Sequence, residues 1–149
     1  MSLEKQVMQQ MKEAMKAKDS VALASLRSIK SEILKVKTSG DFSGNMTEAD
    51  ELKLVQKLVK QRKDSAVLYK DQNRDDLAKE ELDQVAILEN FLPEQLDESA
   101  IQAQVSSIID QVGASSMKDM GKVMGLASKA LAGKAEGAVI SKIVKGLLS

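Results

Sequence analysis

A single proline, Pro93, interrupts this chain of 149 residues, and only 8 glycines accompany it. So few turn-forming residues leave room only for long elements. Aromatic residues make up 2% of the chain against 43% hydrophobic residues overall. A core almost without rings is assembled from Leu, Ile, Val, Met and Ala, which favours helix packed on helix. The predicted fold is all-α, with a helical N-terminal domain over 1–92 of about four helices. A compact three-helix domain follows over 93–149. Pro93 marks the boundary, because it drives Leu92 away from helical geometry. At about 57 residues the second domain is near the lower limit for a core that folds alone.

Apolar spacing supplies the helices. Leu3, Val7, Met11 and Met15 recur every fourth residue, with Met8 alongside, and Asp19 or Ser20 can cap the next helix. Ala22, Leu26, Ile29, Ile33 and Val36 form a seam that runs into the polar loop "TSGDFSGN". Thr47 with Asp50 suits a capping pair for a third helix over about 48–70. That helix carries two stripes, Leu52, Val55, Val59, Ala66, Tyr69 and Leu54, Leu58, Leu68, so it is expected to pack on two sides. A third side carries Lys53, Lys57 and Lys60. A fourth helix is expected from Asp75 to Leu92. Beyond Pro93, Ile101, Val105, Ile108 and Val112 define a helix ending at Gly113, a C-cap residue. The last helix buries Ile140, Ile143, Val144, Leu147 and Leu148.

The stretch "SMKDMGKVMG" at 116–125 keeps helical spacing yet holds two glycines inside the helix. Each costs about 1 kcal/mol relative to alanine. On a helical wheel Met117, Met120, Met124, Ala127 and Leu131 form the expected core face. Lys118, Lys122, Gly125 and Lys129 form a basic face. Gly121, Gly125, Ser128 and Ala132 make a small-residue row between them. Backbone can come close there, either to a neighbouring helix or to a sugar–phosphate chain. The plainer alternative is close helix packing with solvated lysines, and it predicts that Gly121→Leu overpacks the bundle. Solvation is likewise the plainer reading of Lys53, Lys57 and Lys60.

The absence of cysteine and histidine removes disulfides, thiolate metal sites, the usual general base and the commonest metal ligand. No phosphate-binding glycine loop or dinucleotide fingerprint occurs. Ser116 with Lys118 could suggest a nucleophile, but Ser116 with Asp119 fits helix capping. The carboxylates at 75–76 and 80–81 read as exposed charges near a helix start. No catalytic residue, metal or cofactor is therefore assigned. No apolar run approaches the ~20 residues of a membrane span. "MSLEKQVMQQ" offers no apolar signal region. The expectation is a cytoplasmic protein that does not enter a membrane.

Formal net charge is zero, but its distribution is uneven. Residues 93–111 hold Glu94, Asp97, Glu98 and Asp110 without a basic residue, a net of −4. Residues 112–149 hold Lys118, Lys122, Lys129, Lys134, Lys142 and Lys145 against Asp119 and Glu136, a net of +4. Any site for a polyanion must be local.

The segment from "LKLVQKLVKQRKDSAVLYK" through "LPEQL" and "DMGKVMG" resembles the YqeY-like proteins, a family commonly labelled as carbon–nitrogen ligases with glutamine as amido donor. From about residue 94, "GKVMG", "GKAEG" and "VISKIVKGLL" are similar to a tail domain found in the glutamyl-/aspartyl-tRNA amidotransferase. That tail domain helps grip tRNA, while the amidating chemistry belongs to a large catalytic cradle and to a separate amidase. The resemblance therefore implies a tRNA-binding protein that is not catalytic alone. Combined with the basic face, it makes Lys118, Lys122, Gly125, Lys129, Lys134 and Lys142 the candidate nucleic-acid contacts. The alternatives are a helical adaptor that docks a protein partner through the N-terminal helices, and an accessory of amide-forming tRNA chemistry active only inside a complex.

Overall fold

The computed structural model describes residues 2–40 and 44–149, and among them every regular element is a helix. The order is α1 (Leu3–Ala17), α2 (Ser20–Lys37), α3 (Glu48–Asp71), α4 (Asp75–Glu89), α5 (Glu98–Val112), α6 (Met120–Ala130) and α7 (Gly137–Leu148). A single 3₁₀ turn, Met117–Asp119, leads into α6. Residues 41–43 of the expected polar loop lie outside the described residues. The chain divides into two compact units, Met1–Leu92 and Pro93–Ser149.

In the first unit, polar side chains start the helices where backbone N–H groups lack partners. Ser2 caps α1 and Asp19 caps α2. Thr47 and Asp50 form a reciprocal capping box on α3, each side chain accepting the other's backbone N–H at 3.1 Å. Glu51 adds a bond across elements, its Oε2 accepting from Leu3 N at 2.7 Å. A carboxylate on α3 thus meets the positive end of α1 and ties the two helices together.

The first core gathers Leu3, Val7, Leu26, Ile29, Ile33, Leu54, Val55, Leu58, Val59 and Leu88. The four-residue stripe of α1 does not stay in it. A repeat of four advances about 40° per step on a 3.6-residue helix, so Met15 has rotated out to 52% exposure and Ala14 takes the buried position. The second stripe of α3 is interrupted too. Leu54 and Leu58 are in the core, whereas Leu68 is 61% exposed. Helix α2 runs beside the start of α3, as the Lys57–Glu32 ion pair shows, and Leu68 lies about 15 Å further along the axis. Helix α4 ends three residues before the expected Leu92. The N–H groups of Asn90, Phe91 and Leu92 bond to carbonyls three residues back, a tightened last turn ahead of Pro93.

The second unit is a three-helix bundle around Ile101, Val105, Ile108, Val123, Ala127, Leu131, Ile140, Val144 and Leu148. Asp97 caps α5, and Gly113 ends it at φ +67, while Ala114 N returns to Ile109 O at 3.1 Å. Only glycine takes that backbone conformation without cost. The segment entering the bundle is pinned to the α6–α7 turn. Gln95 Nε2 donates to Gly133 O at 2.6 Å, and Leu96 N donates to Lys134 O at 3.0 Å.

Three carboxyls of the first unit are held below their ordinary range. The N–H of Thr47 holds the Asp50 carboxyl below the usual aspartate range. A hydrogen bond from Arg74 does the same for Asp76. The ammonium of Lys35 lowers Glu32, against a smaller opposing effect of burial. A carboxyl depressed by folding stabilises the fold above its unfolded pKa, and that contribution is lost as pH falls through the folded value. With no histidine in the chain, the thermal midpoint should be flat between about pH 5.5 and 8 and should fall below about pH 4. Thermal melts across pH check this. Asp50→Asn should lower the plateau and soften the acid limb.

Candidate functional site

The face singled out in the sequence lies on α6 and the turn before it. Ser116 Oγ accepts from Lys118 N at 3.3 Å, and Asp119 Oδ2 accepts from Ser115 N at 3.0 Å. Ser116 and Asp119 are thereby engaged in capping. Because a 3₁₀ turn advances about 120° per residue instead of 100°, Met117 leaves the face it would share with Met120 and Met124 on one continuous α-helix. Val123 is fully buried along with Ala127 and Leu131, Met120 and Met124 are half-buried, and Met117 is 45% exposed. Val123 was missed because a pure α-helical wheel over 116–132 puts it at the edge.

With the core at Val123, Ala127 and Leu131, the opposite side of α6 is occupied by Lys122, Gly125 and Lys129. All three are exposed, as are Lys118, Gly121, Ser128 and Ala132. A Cβ placed on Gly121 or Gly125 would meet nothing within 4 Å. This overturns close helix packing as the reason for the glycines within the bundle, together with the expected overpacking by Gly121→Leu. The helix carries two glycines on water-facing positions where alanine would be more stable. The expected result is that Gly121→Ala and Gly125→Ala each raise stability by about 1 kcal/mol. Thermal or denaturant unfolding measures this, and a loss of stability in either variant would contradict the open geometry.

The remaining sites are dispersed. Lys134 is half-buried in the α6–α7 turn, with its carbonyl committed to Leu96. Lys142 is exposed on α7, on the side away from Ile140 and Val144. Helix geometry therefore brings Lys122, Gly125 and Lys129 together, with Lys118 just ahead of them, whereas Lys134 and Lys142 belong to other elements. Leu126, 41% exposed on the flank of the lysine row, escaped the sequence reading. Its only signal is a bulky apolar residue out of phase with the core.

Ion pairing separates the two units. Among the described residues, every salt bridge lies in the first unit: Lys35 and Lys57 with Glu32, Lys37 with Glu4, Lys60 with Asp64, Lys63 with Glu89, Arg74 with Asp76, and Lys79 with Asp83. Two of the three lysines on the outer side of α3, Lys57 and Lys60, are thus engaged by carboxylates, as a solvated helix face requires. Among the same residues, no salt bridge involves Lys118, Lys122, Lys129, Lys134, Lys142 or Lys145. The acidic residues Asp97, Glu98 and Asp110 cap or ride on α5, a separate helix of the bundle. Among the described residues no group of acidic side chains is arranged to hold a metal ion, and no helix is long and apolar enough to cross a membrane.

These features define a class: an all-α protein of two helical units, the second presenting a lysine face on which no ion pair occurs among the described residues. The chain belongs to the YqeY-like family, whose description matches residues 4–148. It is also similar to the altered inheritance of mitochondria protein 41, mitochondrial, of Clavispora lusitaniae. The two are 35% identical over 107 residues, covering 70% of this chain and 61% of that relative. The chain therefore spans about six tenths of the length of the curated relative it matches.

Proposed function

We propose that this protein binds tRNA through the outward face of α6, without itself catalysing a reaction, as a relative of the tRNA-gripping tail of the amidotransferase. The observation that carries the reading is the lysine face: Lys118, Lys122 and Lys129 are exposed, and among the described residues no salt bridge engages them. Their charge is available to phosphates without breaking a bond inside the protein. Gly125 among them supports the same reading, since it leaves the helix backbone open to approach. Lys134 and Lys142 are secondary contacts in this scheme. The amido-ligase label of the family then describes the complexes in which related domains work. The cytoplasm remains the proposed compartment, while the Clavispora relative carries mitochondrial in its name.

The test is titration of the whole chain with tRNA at several salt concentrations. Phosphate contacts predict binding that weakens linearly on a log–log plot. Absence of any salt-dependent binding excludes the reading. Glutamine-dependent amide formation by the purified chain would instead support an accessory role in ligase chemistry.

A second reading, a docking adaptor, has its own observation in the first unit. Val67 and Leu68 near the end of α3 are 58% and 61% exposed, an apolar pair that its own bundle leaves uncovered. Leu68→Lys should leave the melting temperature almost unchanged and abolish capture of a protein partner if this face docks one.

A further inference from the structure

The lysine face differs from other polyanion-binding surfaces in what it lacks. Residues 93–149 contain no Phe, Tyr, Trp, His or Arg. Single-stranded RNA is held and read mainly by stacking unpaired bases on aromatic rings or guanidinium planes. Base edges in an open groove are read most often by bidentate Arg. Neither device exists in this unit. What it offers is point charges on flexible stems, an exposed helix backbone at Gly121 and Gly125, and two exposed apolar side chains, Met117 in the 3₁₀ turn ahead of α6 and Leu126 on α6 itself.

Those parts match one form of RNA. The minor groove of an A-form helix is wide and shallow, and it displays ribose hydroxyls between two rows of phosphates. Lys122 and Lys129 are seven residues apart, about 10.5 Å along the axis, with Gly125 between them. A helix laid across such a groove needs its middle free of side chains, so that backbone and ribose approach, and cations toward its ends to meet the phosphates. We infer that the face carrying Lys118, Lys122, Gly125 and Lys129 takes double-helical RNA across its shallow groove, in preference to single-stranded RNA. The inference rests on the tRNA reading and narrows it to the stems of the molecule.

An acidic lipid surface is the competing polyanion, and the packing of α6 argues against it. A helix lying in a membrane interface inserts its bulky apolar face, but in α6 that face is Val123, Ala127 and Leu131, all fully buried in the bundle. The outward face is lysine, glycine, serine and alanine, with one exposed leucine, Leu126, on its flank.

The experiment compares, for the whole chain, a blunt RNA duplex of about 16 base pairs, one of its strands alone, tRNA, and vesicles containing phosphatidylserine. The expected result is duplex binding about tenfold or more tighter than single-strand binding, the gap left by missing stacking contacts. Gly125→Leu should weaken duplex binding at a melting temperature no lower than that of the wild type, by filling the middle of the face. Single strand bound as tightly as duplex, or tRNA bound while duplex is not, overturns this inference and leaves the tRNA reading standing. Failure to bind any RNA overturns both. Vesicles bound more tightly than every RNA, or Gly125→Leu binding duplex like the wild type, assigns the face to another role.

Discussion

Leu131→Ala should unfold the C-terminal unit at temperatures where the N-terminal unit remains intact. Leu131 is fully buried at the end of α6, in one cluster with Val105, Val123, Ile140 and Val144. Truncating such a leucine costs about 2–5 kcal/mol through lost burial and the cavity left behind. A unit of this size has roughly 3–8 kcal/mol in total at the usual stability per residue, so one change removes much of it. The first unit has its own counterpart in Leu88, fully buried in a cluster with Val7, Leu26, Ile29 and Val85. Leu88→Ala should therefore move a different transition. Calorimetry or hydrogen exchange on the two variants tests whether the units melt separately, as we propose. If either change shifts every protected amide equally, the chain is one cooperative body. The pinning of Gln95 and Leu96 to the α6–α7 turn sharpens the expectation. Protease should spare residues 95–96 until the C-terminal unit opens.

Much of the fold was legible because it is written in local signals. Asp19, Thr47 with Asp50, Gly113 and Ser116 each act through groups a few residues away, so the sequence displays the partner beside the cap. The errors have mixed causes. Met15 leaves the core because a repeat of four drifts around the helix, whereas Leu68 continues an apolar stripe past the point where a neighbouring helix covers it, and stripe length does not state neighbour length. Glu51 reaches α1 across 48 residues, a bond that spacing cannot announce. A three-residue 3₁₀ segment ahead of α6 moved Met117 out, and Val123, at the edge of the expected face, is buried. For the site, the grouping of Lys122, Gly125 and Lys129 followed from helix geometry alone. Whether the glycines met a neighbouring helix or open water depended on the arrangement of three helices. The empty space around Gly121 and Gly125 decided it.

Replacing Lys118, Lys122 and Lys129 with Gln should remove most tRNA binding and flatten its salt dependence, while leaving the bundle folded. Glutamine keeps the helix propensity of lysine, and among the described residues no salt bridge is lost, because none engages these lysines. Each phosphate neutralised on a duplex-like site contributes about −0.9 to the log–log slope, so three contacts give about −2.7. Between 50 and 200 mM salt that is a roughly 40-fold loss of affinity. The triple variant should lose this dependence apart from what Lys134, Lys142 and Lys145 add. The loss should be alike for different tRNA species, since phosphate contacts position a protein without reading sequence. Lys57→Gln with Lys63→Gln is the matched control: both lysines are exposed on α3, but each already faces a carboxylate, Glu32 or Glu89. That pair should leave the slope unchanged. If the control flattens the slope as much as the triple variant does, binding follows overall charge and the face on α6 has no special part in it. If the triple variant binds as wild type does, the contact lies elsewhere, and the exposed Val67–Leu68 pair of the first unit becomes the surface to pursue.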